Sequence, residues 1–238
     1  MKYTAAILAV ALLLIAAGSA DAASIVAKYE GVSGYGVSVT SPDKTGVTTA
    51  GRFSFDRNSA AVADDWSGEP IYKNIAEEEF YSFCIDLGDV VSNSDQTYLI
   101  QELGDVSRIK NASDIAILWE EKYSMGMSQL DRAIFQAVVW ELVYEDASRY
   151  DLSSGTFQLT STTSGLVSTA DSWLDSLDAG DWTGAATLKA MTNGSYQDQI
   201  FEVAGDGDNI VPLPSSALAG LAFLGMLAVV RVRRKRHL

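Results

Sequence analysis

One stretch constrains this chain more than any other: Ser128 to Asp146, SQLDRAIFQAVVWELVYED. From Ala133 to Tyr144 every position is apolar except Gln136 and Glu141. That density exceeds the single apolar stripe of a surface helix and predicts a helix buried on most sides. Ser128 followed by Asp131 has the spacing of a capping box, with Asp in place of the usual Glu, and no Gly or Pro interrupts the run before Asp146. Gln136 is then the exception. A primary amide on a mostly buried helix needs hydrogen-bond partners or costs about 1–3 kcal/mol. Its neighbours at helical spacing, Arg132, Ala133, Val139 and Trp140, are expected to frame a specific contact.

The remaining text is mostly strand-like. Ser24 to Phe55 alternates apolar and polar residues around a Pro42-Asp43 turn, with Gly34 and Gly36 expected to mark bends or bulges. A loop from Asn58 to Asn74 holds Trp66 and leads into a strand predicted over Phe80 to Asp86. That strand carries the sole cysteine, Cys84, with Ser82 and Asp86 on its face and Phe83 and Ile85 on the other. A polar turn over Gly88 to Asp95, a strand near Tyr98 to Leu103 and a helix over Ala112 to Tyr123 precede the buried helix. After it come a strand at Thr156 to Thr160, a helix at Thr169 to Leu177, a loop from Asp175 to Trp182 and a last strand at Gln199 to Ala204. The expected class is α+β: a strand-rich, sandwich or barrel-like scaffold with a helical insertion between Cys84 and Gln136.

Charge and composition exclude several kinds of chemistry. The net charge is −14, and much of the basic complement sits in the tail at Arg231, Arg233, Arg234, Lys235 and Arg236, so the body of the chain is more acidic still. Nucleic acid is therefore not an expected partner, because phosphate neutralisation needs a basic face. The one histidine, His237, is in the same tail, which removes a Ser-His-Asp triad, a Cys-His dyad and a histidine-bearing zinc site from the folded region. No cofactor or metal is implied. Asp206-Gly-Asp208-Asn209 has part of a calcium-loop pattern but lacks the later acidic ligand, and reads as a solvated acidic linker. A single cysteine also permits no intramolecular disulfide.

Both ends carry targeting patterns. Lys2, an apolar run from Ala5 to Ala17 and an Ala20-Asp-Ala22 cleavage site make residues 1–22 a secretory signal peptide, with an uncleaved anchor as the alternative. Residues 23–205 then form the exported domain and 206–214 a linker. At the other end Val211-Pro212-Leu213-Pro214 precedes an apolar segment from Ser215 to Val230, read as a transmembrane helix, and the basic cluster after it places that end in the cytoplasm. This three-part arrangement resembles the PEP-CTERM sorting signals of Gram-negative bacteria, with Leu213 where the usual motif has Glu. The resemblance implies an exosortase-type membrane protease or transpeptidase as partner, tethering to the inner membrane before sorting, and a final place at the cell surface or outside the cell. An unprocessed tail anchor has the same topology.

A second resemblance lies in FCID at 83 to 86 and QAVVW at 136 to 140. An aromatic-then-cysteine strand, a helical region and Gln-x-apolar-apolar-Trp resemble the thioester domains of bacterial surface adhesins, although Phe135 stands where better-known members carry Thr. The resemblance implies Cys84 as thiol donor and Gln136 as acyl donor of an internal thioester, opened by an amine or hydroxyl on a target surface. Phe80, Phe83 and Trp140 are expected to keep water out, and Asp86 to orient or deprotonate a nucleophile. Two other readings stand beside it: a non-enzymatic protein binding exopolysaccharide or other matrix material, and a hydrolase with paired carboxylates such as Asp86 and Glu141.

Overall fold

Two long strands, β1 (Ser24–Thr40) and β2 (Thr45–Arg57), form an antiparallel hairpin paired from Ala27 opposite Arg57 to Thr40 opposite Thr45. Ser41 closes its turn: its N–H donates to the Lys44 carbonyl at 2.8 Å and its hydroxyl accepts from the Lys44 N–H at 3.1 Å. The two glycines singled out in the sequence behave differently. Gly34 faces Gly51 across the hairpin so closely that a Cβ on Gly34 would lie 1.8 Å from the Ala50 carbonyl oxygen, whereas Gly36 faces open space. The register irregularity falls earlier, between Tyr29 and Gly31.

The computed structural model describes residues 23–66, 78–146 and 149–203, all within one compact unit of the chain, 22–205. The further strands are β3 (Glu79–Cys84), β4 (Gln96–Glu102), β5 (Gln158–Thr160), β6 (Leu188–Thr192) and β7 (Gln199–Glu202). All pairings are antiparallel. The sheet order is β2-β3-β7-β6-β4-β1-β5, and the β1–β2 pairing joins its two sides, so β2, β3, β7, β6, β4 and β1 close into a ring with β5 appended to β1. Closure leaves few unpaired edges to solvate. Strand β6 was not expected: its five residues, Leu-Lys-Ala-Met-Thr, are too short to show a period.

Among the described residues three α-helices accompany the strands: α1 (Ala112–Lys122), α2 (Gln129–Tyr144) and α3 (Leu166–Ala179). Helix α2 is the predicted buried helix. The Ser128 hydroxyl accepts from the Asp131 N–H at 3.1 Å and the Asp131 carboxylate accepts from the Ser128 N–H at 3.3 Å, which completes the capping box. Every residue from Ala133 to Tyr144 is buried, and the helix packs against β1, β2, β3, α1 and α3. Phe135, whose ring centroid is 4.4 Å from that of Phe83, joins Trp119 and Tyr123 in one aromatic cluster. Helix α3 is longer than its pattern indicated. It starts after Gly165 and continues to Ala179, where Gly180 at φ 70° ends it, so much of the loop expected from Asp175 is helical.

Several sequence expectations lie outside the described residues. These are the signal peptide at 1–22, the Asp206–Asn209 linker, Val211–Pro214, the apolar segment 215–230, the basic cluster and the 67–74 part of the loop after Trp66. Among the described residues no helix is long and apolar enough to cross a membrane.

Candidate functional site

Strand β3 meets β2 only as far as Ser82, opposite Phe53, and then continues alone on that side. On its other side it pairs with β7, Cys84 lying opposite Gln199, and the Ile85 N–H donates to the Asp198 carbonyl at 3.0 Å. Backbone groups of successive strand residues point to opposite sides, so the Cys84 N–H and C=O face the position that β2 has vacated. Gln136 fills it. Its Oε1 accepts from the Cys84 N–H at 2.9 Å and its Nε2 donates to the Cys84 carbonyl at 2.8 Å. The side-chain amide acts as the missing peptide unit of a neighbouring strand, and both residues are completely buried. The structure thus brings together the two residues that the sequence set 52 positions apart.

The thiol has its own partners. Cys84 Sγ donates to the Asp86 carbonyl at 2.9 Å and accepts from the Asp86 N–H at 3.3 Å. Burial pushes the Cys84 thiol up to about 12, with the Trp140 N–H nearby opposing that rise. Trp140 Nε1 is buried and has no acceptor at ordinary hydrogen-bond geometry among the described residues. Tyr144, one turn further, accepts from the Leu87 N–H at 2.9 Å and donates to Asp43 at 3.0 Å. Gln136, Trp140 and Tyr144 form one face of α2 at i, i+4 and i+8, and that face reads along the backbone from Cys84 to Leu87.

Two expected roles are placed differently. Asp86 touches the thiol through its backbone, while its carboxylate turns to Arg108 at 3.0 Å and to the Gly88 N–H at 2.8 Å, with Oδ2 buried and without a partner among the described residues. The strand that was to carry it ends at Cys84, because the chain bends there to close these contacts. Phe83 points away from the thiol, into the Trp119, Tyr123 and Phe135 cluster, and so supports the Gln136 helix from the far side.

Arg108, Asp198, Gln197 and Gln199 were not foreseen. Arg108 gathers Asp86, Asp198 at 3.5 Å and Asp43 at 3.4 Å. Burial raises the Asp198 carboxyl to about 6, its Asn193 N–H and Arg108 neighbours working the other way. Gln197 Nε2 donates to the Asp86 carbonyl at 2.8 Å, the same oxygen that holds the thiol. Gln199 accepts from the Ser82 hydroxyl at 3.1 Å and donates to Gln197 at 3.0 Å. The contiguous polar run Gln197-Asp198-Gln199 leading into the apolar Ile200-Phe201 was the available signal for the last three.

Glu141, the other carboxylate of the hydrolase reading, is in a different environment from Asp86. It is buried, accepts from the Asp151 N–H at 2.8 Å, and leaves Oε2 without a partner among the described residues. Burial raises it to about 7, and the acidic groups acting on it are Glu145, Asp151 and Asp171. Among the described residues no group of three or more histidine, cysteine, aspartate or glutamate side chains is arranged to hold a metal ion. No family model, curated protein or solved structure matches the chain.

Proposed function

We propose that this is an exported protein of the cell surface or extracellular matrix, sorted through a PEP-CTERM-type signal, whose Cys84–Gln136 pair closes into an internal thioester for covalent adhesion. The direct pairing of the Gln136 carboxamide with Cys84 in a water-excluded interior carries this reading. In the closing step Sγ bonds to the Gln136 side-chain carbonyl carbon and the C–N bond breaks. The thiol proton leaves with the nitrogen as ammonia. The Cys84 N–H on Oε1 is a donor for the developing oxyanion, and burial protects the product from hydrolysis. An amine or hydroxyl on a target surface then takes the acyl group and returns the thiol. Exosortase is the sorting partner and the C-terminal segment the membrane tether.

A second reading has its own observation. The Gln136 amide is fully engaged with backbone and the thiol is held protonated, which also suits a non-enzymatic, exopolysaccharide-associated or structural surface protein in which the pair only locks helix to strand. Intact mass separates the two. The thioester reading expects a full-chain mass short by one ammonia, a thiol that labels only after amine treatment, and loss of both properties in Gln136→Ala. Gln199→Ala, which removes the other buried amide beside Cys84, should keep them. Full calculated mass with a thiol that labels on denaturation leaves the structural reading.

A further inference from the structure

Beside Gly31 and Val32 lies a cavity of about 250 Å³ lined by Arg52, Arg132, Ser33, Ser54, Tyr81 and Glu79. Its charge is anomalous for so acidic a chain. Of the described arginines, Arg57 pairs with Asp64, Arg108 with Asp86 and Arg149 with Asp175, but neither Arg52 nor Arg132 has a carboxylate partner among the described residues. Glu79, the one carboxylate on the lining among the described residues, forms no ion pair with either.

Among the described residues, both guanidiniums are held by neutral groups alone. Arg52 is 6% exposed, lies 3.8 Å over the Tyr81 ring and donates to the Met125 carbonyl at 3.2 Å. Arg132 donates from Nη1 to the Ser33 hydroxyl at 2.8 Å, and its Nε is buried with no acceptor among the described residues. Burial lowers the pKa of Arg52, Tyr123 opposing that fall and the neighbouring Arg132 cation adding to it. Two adjacent cations, Arg52 buried and Arg132 half-buried with its Nε enclosed, are costly without a counter-charge, and an anion that accepts from Nε and the free guanidinium edges relieves that cost. Ser33 already accepts from Arg132, which leaves its O–H free to donate to the same anion.

We propose that this cavity binds one oxyanion, a carboxylate or a sulfate ester, carried on a group the size of a single sugar ring. The volume falls below the roughly 300–1,000 Å³ of sites for drug-sized ligands, which sets that limit. Arg132 precedes Gln136 by one turn of α2, yet the site depends on no reaction at Cys84. It binds whether or not the thioester forms.

Titration of the full chain, labelled with nitrogen-15 at arginine, tests this at low ionic strength with glucuronate, inorganic sulfate and uncharged glucose. Arg132 and Arg52 side-chain signals should shift saturably with at least one anion and not with glucose. Arg132→Gln should weaken binding by about tenfold or more, and Arg132→Lys by less, since it keeps charge but loses the fork. Preference for glucuronate assigns a carboxylate ligand, and preference for sulfate a sulfated one. No saturable shift with either anion, or an equal shift at the exposed, already paired Arg149, overturns the proposal. The unmodified chain decides the matter if a variant does not fold.

Discussion

Gln136 and Cys84 form a two-point hydrogen-bonded pair, side-chain amide to backbone, in the ladder position that β2 leaves after Ser82. A helix is thereby joined to a sheet by the same pattern that joins strand to strand. Removing the amide leaves a buried N–H and a buried C=O without partners. Gln136→Leu should therefore cost roughly 2–4 kcal/mol, well beyond the effect of its lost volume, as a drop in the urea midpoint at unchanged slope. A drop below about 1 kcal/mol would show that water or β2 reaches Cys84 once the amide is gone.

Thiol chemistry gives a second expectation. With Cys84 pushed up to about 12 and completely buried, an unlinked thiol should resist alkylation in the folded protein across neutral pH, and label only through opening of the fold. Labelling should then follow stability when urea is added. Trp140→Phe removes the N–H that opposes the rise and should slow any residual native-state labelling; faster labelling without loss of stability would contradict the role given to that N–H.

Stability should fall as pH rises through the acid-to-neutral range. Burial raises Glu141 from an ordinary 4.5 to about 7 and Asp198 from 3.8 to about 6, so the folded state holds protons that the unfolded chain has released. Their contribution is fully present below the unfolded values and is lost as pH passes the folded ones. Glu141, completely buried with Oε2 unpartnered, should account for roughly 1–3 kcal/mol of that loss between pH 4.5 and 7. Urea midpoints at pH 5 and pH 8 should differ less in Glu141→Gln than in the parent, and an unchanged difference would remove Glu141 as the cause.

The Gly34–Gly51 contact should tolerate no side chain. A Cβ on Gly51 would lie 2.4 Å from the Ser33 carbonyl oxygen, and one on Gly34 is still closer to the Ala50 carbonyl. Either alanine substitution should cost about 3 kcal/mol or more in the thermal or urea transition, while Gly36→Ala, which meets open space, should change stability by less than about 0.5 kcal/mol. Gly155→Ala should also destabilise, since φ is +91° and the new methyl would meet the Glu145 carboxylate at 2.2 Å.

Much of this architecture was legible in local pattern. The buried helix, its Ser128 cap and the anomaly of Gln136 follow from a dense apolar run with one amide in it, because a helix that buries every side must satisfy every polar group it takes inside. Cys84 was marked by being the chain's sole thiol, and its strand by aromatic alternation. The acidic body and the lone tail histidine determined which catalysts the folded region cannot build.

Tertiary structure decided the rest, because it turns on groups far apart in the chain. That β3 loses β2 just before Cys84, and so needs the Gln136 amide, depends on where two strands diverge. That Asp86 offers the thiol its backbone, and its carboxylate to Arg108, depends on a bend at the strand's end that alternation cannot foresee. Arg52 and Arg132 are 80 residues apart, and each alone reads as an ordinary surface charge. Only the packing of α2 against β1 and β2 places both in one cavity, neither of them paired with the Glu79 carboxylate on its lining, and charge left unpaired by distant neighbours leaves no trace in local sequence.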